Sequence, residues 1–111
     1  KEVDKDYGED RIIPGMIDVH CHGAYGFDTN DGEDSGLKLW AKHLPDEGIT
    51  AFLPTTVTQA EGVLTHALES VAEYMTKPQE GAQVLGVNFE GPQKVILGLL
   101  LWQQKKILIM K

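Results

Sequence analysis

The sequence predicts an α/β fold in which a parallel sheet carries its helices on the outside, and three observations lead there. Short apolar runs alternate with stretches of helical periodicity, in the order strand, helix, strand, helix, strand. The connections are long enough to hold a helix, which makes consecutive strands parallel with right-handed crossovers. Each of the three strands ends in polar side chains, and the C-terminal edge of a parallel sheet is where sites form.

Residues 1–11 are polar and acidic and read as a solvated strand end or a loose terminus. The run from Ile12 to Gly23 opens on the Pro14-Gly15 turn and continues as a strand with two unlike faces. Asp18, His20 and His22 share one face, and Ile17, Val19 and Cys21 share the other, because side chains alternate with a period of two. Glycine and Asx residues from Gly23 to Gly32 predict a loop. From Ser35, residues Leu37, Trp40, Ala41 and Leu44 recur at helical spacing, and Pro45 and Gly48 stop that first helix. Ile49 to Pro54 is continuously apolar, as in a strand buried on both faces, and runs into Thr55-Thr56-Val57-Thr58.

Thr58 and Glu61 have the spacing of a capping box. Behind them Val63, Leu64, Ala67, Leu68, Val71, Ala72 and Met75 form the apolar stripe of a second helix that ends before Lys77-Pro78. Gln83 to Glu90 predicts the third buried strand, with Leu85, Val87 and Phe89 on one face and Gly86, Asn88 and Glu90 on the other.

Composition narrows the function. With 17 acidic against 10 basic residues the formal charge is −7, which argues against nucleic acid or an anionic membrane as partner. At 41% hydrophobic and 24% charged, the chain has the composition of a soluble domain. Cys21 is the single cysteine, so no internal disulfide can form, and a reducing compartment is expected. The charged first ten residues do not look like a signal peptide, and the longest apolar stretch, Val95 to Trp102, is far short of the roughly 20 residues of a membrane helix. A cytoplasmic location is the expectation. All the acidic residues lie within 1–92, whereas 93–111 carries four lysines and no acid, a break in design directly after Pro92.

The chemistry lies at the strand ends. His20 and His22, two apart on one strand, aim their imidazoles the same way and can hold one cation between them. Glu90, ending the third strand, can complete or bridge that site. Zinc, iron and manganese all accept such a nitrogen and oxygen set. Blander readings stand beside this one: two histidines meet on surface strands by chance, and a glutamate at a strand end is often only solvated. Asp18 either orients a histidine or is tied to backbone. Cys21 faces the helix side and reads as a small buried hydrophobe, while His43 and His66 fall within helices as exposed or edge-of-core residues. Trp40, Tyr74 and Met75 read as core or rim packing, and the acidic run Asp28 to Asp34 as a solvated loop.

The segment Pro14-Gly15-Met16-Ile17-Asp18-Val19-His20-Cys21-His22-Gly23 resembles the first barrel strand of the amidohydrolase superfamily. Three further stretches, Gly23-Ala24-Tyr25-Gly26, the run from Gly48 to Thr58 and Gly86-Val87-Asn88-Phe89-Glu90-Gly91-Pro92, narrow the resemblance to the N-acetylglucosamine-6-phosphate deacetylase family, over residues 10–92. The resemblance implies the N-terminal part of a (β/α)8 TIM barrel of the metal-dependent hydrolase type, over 14–92, preceded by the end of a small β-sandwich domain in 1–13. It implies hydrolysis of the acetamide of N-acetylglucosamine 6-phosphate, a small amino-sugar phosphate, by a protein that is usually a homo-oligomer. Glu90 matches the family's metal-binding glutamate, and His20 and His22 match a pair that binds an additional ion in some members. A catalytic aspartate and further ligands are expected outside these residues. A complete barrel takes roughly 250 residues, so 111 supply about three to four of its eight units. Where the family continues past Pro92 with an aromatic residue, Gln93 opens an atypical tail, 93–111, which reads as out-of-frame translation; the alternatives are another deacetylase or deaminase of the amidohydrolase superfamily, or a short metal-binding or interaction module without catalysis. On the first reading the isolated chain is expected to be inactive and to aggregate.

Overall fold

The computed structural model describes residues 5–91 and the backbone of Ile109–Met110. Its elements are β1 (Met16–Cys21), a hairpin of β2 (Gly23–Ala24) and β3 (Phe27–Asp28), α1 (Asp34–His43), β4 (Ile49–Pro54), α2 (Glu61–Met75), β5 (Gln83–Val84), β6 (Val87–Asn88) and β7 (Ile109–Met110). Turns of 3-10 helix over Thr29–Asp31 and Leu44–Glu47 precede and follow α1. The main sheet has the order β1-β4-β5 with both pairings parallel, as the α/β pattern predicts. Val87 and Asn88 of β6 lie parallel to Ile109 and Met110 of β7; the rest of the expected tail, 93–111, lies outside the described residues. Residues 5–15 are exposed and form a turn around Gly8 but no strand.

The core lies between the sheet and the two helices. Trp40 of α1 meets Phe52 of β4 with tilted rings whose centroids are 4.7 Å apart, and Phe27 of β3 packs against Trp40 at 6.2 Å, also tilted. Leu37, Ala41, Leu68, Val71, Tyr74 and Val84 fill the space around them. Met75, by contrast, is exposed. The chain reaches β5 through a close contact: Ala82 N–H donates to the Ala41 carbonyl at 2.8 Å. Gly81 has φ 85°, and a Cβ there would strike that carbonyl, so glycine is required on both counts.

Four expectations are corrected. Thr58 does not cap α2: Ala60 occupies the N-cap position without a side-chain hydrogen bond, and the Thr58 hydroxyl donates instead to the Gly91 carbonyl at 3.2 Å. The segment Gly23 to Gly32 is ordered as the β2–β3 hairpin and a 3-10 turn. Asp28 and Asp31 form a reciprocal capping box around that turn, which gives part of the acidic run a structural role. Ile17 and Val19 are exposed and do not share the inward side of Cys21, since the register of β1 against β4 shifts between Asp18 and Cys21. Finally, Gln83 to Glu90 is not one regular strand. Phe52 pairs with Val84 and Thr55 with Asn88, so the third strand holds one residue more than β4 between those pairings. The extra residue reverses the alternation, leaving Leu85 exposed while Val84, Gly86 and Val87 are buried.

Candidate metal centre

The irregularity in the third strand places Glu90. Before it, Val84 points into the core and Gln83 and Leu85 point away; after it, Val87 and Phe89 pack toward the core, so Asn88 and Glu90 take the open face. His20 is exposed near the end of β1, while Cys21 packs toward the core; the pairing of β1 with β4 shifts register between Asp18 and Cys21, so Cys21 turns inward although Ile17 and Val19 do not. Asp18 accepts the backbone N–H of His20 at 3.0 Å, so it is tied to backbone and holds the histidine's main chain, not its ring.

His22 follows the last residue of β1 and is held from two directions. Its carbonyl accepts from both the backbone N–H and the hydroxyl of the buried Thr29, at 2.7 and 2.8 Å. Its ring Nδ1 lies 3.1 Å from the Thr55 carbonyl, which can only accept, so Nδ1 carries the proton and the lone pair of the neutral ring sits on Nε2, facing His20. A Cβ on Gly23 would run into the Phe27 carbonyl, so the chain can turn into the hairpin here only with glycine.

These constraints bring His20, His22 and Glu90 together, with ligand atoms all within 4.8 Å of one another. The two Nε2 atoms are 3.4 Å apart, Glu90 Oε1 is 3.1 Å from His20 Nε2, and Glu90 Oε2 is 4.0 Å from His22 Nε2. Donors bound tetrahedrally at about 2.0–2.1 Å stand about 3.4 Å apart, so the spacing suits one first-row divalent ion. A backbone carbonyl fixing the second nitrogen of a histidine is also the usual support of a metal-ligating imidazole. The side chains are about half exposed, at 52% for His20, 38% for His22 and 45% for Glu90, so an ion can enter from solvent. Among the described residues no other such group of histidine, cysteine and carboxylate side chains forms. His43 pairs with Asp46 at 3.6 Å, and His66 lies against Gly32; neither belongs to this group.

Comparison with known proteins points the same way. The N-acetylglucosamine-6-phosphate deacetylase of Bacillus subtilis is 44% identical over 84 residues, 73% of this chain and 21% of that protein. The N-acetylgalactosamine-6-phosphate deacetylase of Escherichia coli O157:H7 is 40% identical over 81 residues, covering 73% of this chain and 22% of that one. A crystal structure of N-acetylglucosamine-6-phosphate deacetylase from Pasteurella multocida superposes with a TM-score of 0.61 at 28% identity, over 68% of this chain and 20% of its own. Over its N-terminal part, this chain is homologous to N-acetylglucosamine-6-phosphate deacetylases. The chain matches about a fifth of the length of these deacetylases, which are hydrolases of amide bonds. No protein-family model matches it. No helix among the described residues is long and apolar enough to cross a membrane.

Sequence reasoning singled out His20, His22 and Glu90 but gave no role to the residues that support them. Thr55 and Thr56 are fully buried and bond to the segments carrying all three side chains. Asn30 joins its side-chain amide to Val57 in both directions, at 2.8 and 3.0 Å, bracing the loop that follows them. The one available signal was a pair of threonines closing an apolar strand, where a buried hydroxyl must find a partner.

Proposed function

We propose that residues 14–92 form the first three strands and two helices of a (β/α)8 barrel, with 1–13 the end of a β-sandwich segment. The activity we assign to the barrel is metal-dependent removal of acetate from N-acetylglucosamine 6-phosphate. The observation that carries this reading is the convergence of His20, His22 and Glu90 at one sheet edge in a chain homologous to such deacetylases. His22, fixed as the Nδ1–H tautomer by Thr55, offers its Nε2 lone pair; His20 offers Nε2; Glu90 supplies the negative charge that balances a cation. Such an ion, zinc, iron or manganese, supplies Lewis acidity that brings the pKa of water down to about 7 and polarises an amide carbonyl. Hydrolysis then consumes one water and yields acetate and glucosamine 6-phosphate. A second reading, with the galactosamine epimer as substrate, is favoured by the 40% identity to an N-acetylgalactosamine-6-phosphate deacetylase.

With Glu90 engaged as a ligand and Asp18 tied to backbone, the described site keeps no carboxylate to move protons, so the 111-residue polypeptide alone is expected to bind metal without turnover. Two measurements test the reading. Calorimetric titration with zinc or manganese is expected to show one site that His20→Ala with His22→Ala weakens strongly; unchanged affinity would return these histidines to a structural role. Replacing the matched stretch of the Bacillus subtilis deacetylase by this one is expected to preserve acetate release from N-acetylglucosamine 6-phosphate. A chimera that folds, binds metal and releases acetate only from the galactosamine epimer would decide for the second reading.

A further inference from the structure

Thr55 and Thr56 follow the last residue of β4, between the strand end bearing the histidines and the one bearing Glu90, and both are fully buried. Apart from the Thr55 hydroxyl's donation to the Leu53 carbonyl of its own strand at 3.2 Å, their hydrogen bonds divide between the two neighbours. Thr55 N–H donates to the Cys21 carbonyl at 2.9 Å, its hydroxyl accepts from Cys21 N–H at 3.1 Å, and its carbonyl takes His22 Nδ1–H. Thr56 N–H donates to the Asn88 carbonyl at 3.2 Å, and its hydroxyl engages both backbone groups of Glu90, accepting from N–H at 3.2 Å and donating to C=O at 3.4 Å.

The strands need this bracket because regular pairing ends just where the three side chains begin. Among the described residues no ladder continues along β4 beyond Cys21 and Asn88, and two threonine hydroxyls supply hydrogen bonds there. We propose that Thr55 and Thr56 are positioning residues that set the separation of His20, His22 and Glu90, with the Thr56 hydroxyl fixing the glutamate. Its recognition of both backbone atoms of Glu90 is the more telling contact, since one side chain there controls the position and the direction of a single residue.

The proposal rests on the metal-centre reading, and its test separates the two. The probes are Co(II) absorption on the full chain and the 15N–1H histidine spectra of the metal-free chain. Thr56→Val keeps the shape and removes the hydroxyl; Thr56→Ser keeps the hydroxyl. Expected for valine is a roughly 10–100-fold loss of Co(II) affinity, with displaced signals for the His20 and His22 rings and a far-ultraviolet spectrum unchanged. Serine is expected to restore both the affinity and the signals, which a loss of packing alone would not allow. Thr58→Val, which removes only the contact one residue beyond Glu90, is expected to give the smaller effect and serves if the first variant fails to fold. Unmoved histidine signals and unchanged affinity in Thr56→Val, or a serine variant that restores neither, overturn the proposal. A native chain that takes up no Co(II), with valine still displacing the histidine signals and serine restoring them, sinks the metal reading and leaves the positioning role standing.

Discussion

Tyr74 Oη and Trp40 Nε1 lie buried in the core without a hydrogen-bond partner among the described residues. A buried hydroxyl left unpaired costs about 1–3 kcal/mol of desolvation, whereas deleting it leaves an apolar surface of nearly the same shape. Tyr74→Phe is therefore expected to raise stability by about 1 kcal/mol at neutral pH, measured by urea unfolding. The same residue has a pH signature. Burial, with the charges of Asp34 and Glu80 adding to it, raises the Tyr74 phenol above 10.0. The folded state keeps that proton where the unfolded chain releases it, so the contribution is intact below about pH 10 and falls as pH rises through the folded value. Tyr25, raised by its hydrogen bond to Glu47, and Lys77, raised by Glu73 and Asp34, shift in the same direction at the surface. Unfolding curves at pH 7 and above pH 10 should show an alkaline loss that Tyr74→Phe makes shallower; an equal loss in both proteins would contradict the assignment.

At the scale of elements, α2 begins without a side-chain cap, since Ala60 stands where Ser, Asp or Asn would accept the first free N–H groups. Ala60→Asp is expected to stabilise by about 1 kcal/mol, through the cap and through charge at the positive helix end. Thr58→Ala should lose the link to Gly91 and leave helix content unchanged, as far-ultraviolet dichroism would report. The failed capping box shows what pattern can and cannot convey. Helix periodicity placed α2 because burying Leu64, Ala67, Leu68 and Val71 fixes the helix whatever starts it; the start depends on where the Thr58 hydroxyl goes, which is a tertiary matter. The Gln83–Glu90 strand makes the same distinction. Its apolar residues fit the core with or without an extra residue, so sequence could not show the shift of register that exposes Leu85. The ligand candidates were legible because two histidines stand two apart at the end of β1, His20 within it and His22 just past it, and strands of a parallel sheet end at a common edge. Their supports were not, since a threonine at a strand end gives no hint of whose backbone it will hold.

For the molecule as a whole, the dominant asymmetry is the bare side of β1. This strand pairs only with β4 among the described residues, which leaves its other edge open, and Ile12, Ile13, Met16, Ile17 and Val19 stand exposed along it. An open edge beside exposed β-branched residues invites pairing with another chain, and the formal charge of −7 opposes such contact only weakly at physiological salt, where screening acts within about 8 Å. The 111-residue polypeptide is therefore expected to self-associate through this edge. Lysine at both Ile17 and Val19 places charge on an edge strand without removing a buried contact, since both side chains already face solvent. Sedimentation velocity should show the double variant staying monomeric at concentrations where the parent forms larger species, with a melting temperature no lower than the parent's. A variant that associates as readily as the parent would place the contact elsewhere. One that melts far lower would mean that Ile17 and Val19 are covered in solution, and that the exposed face of β1 is already an occupied one.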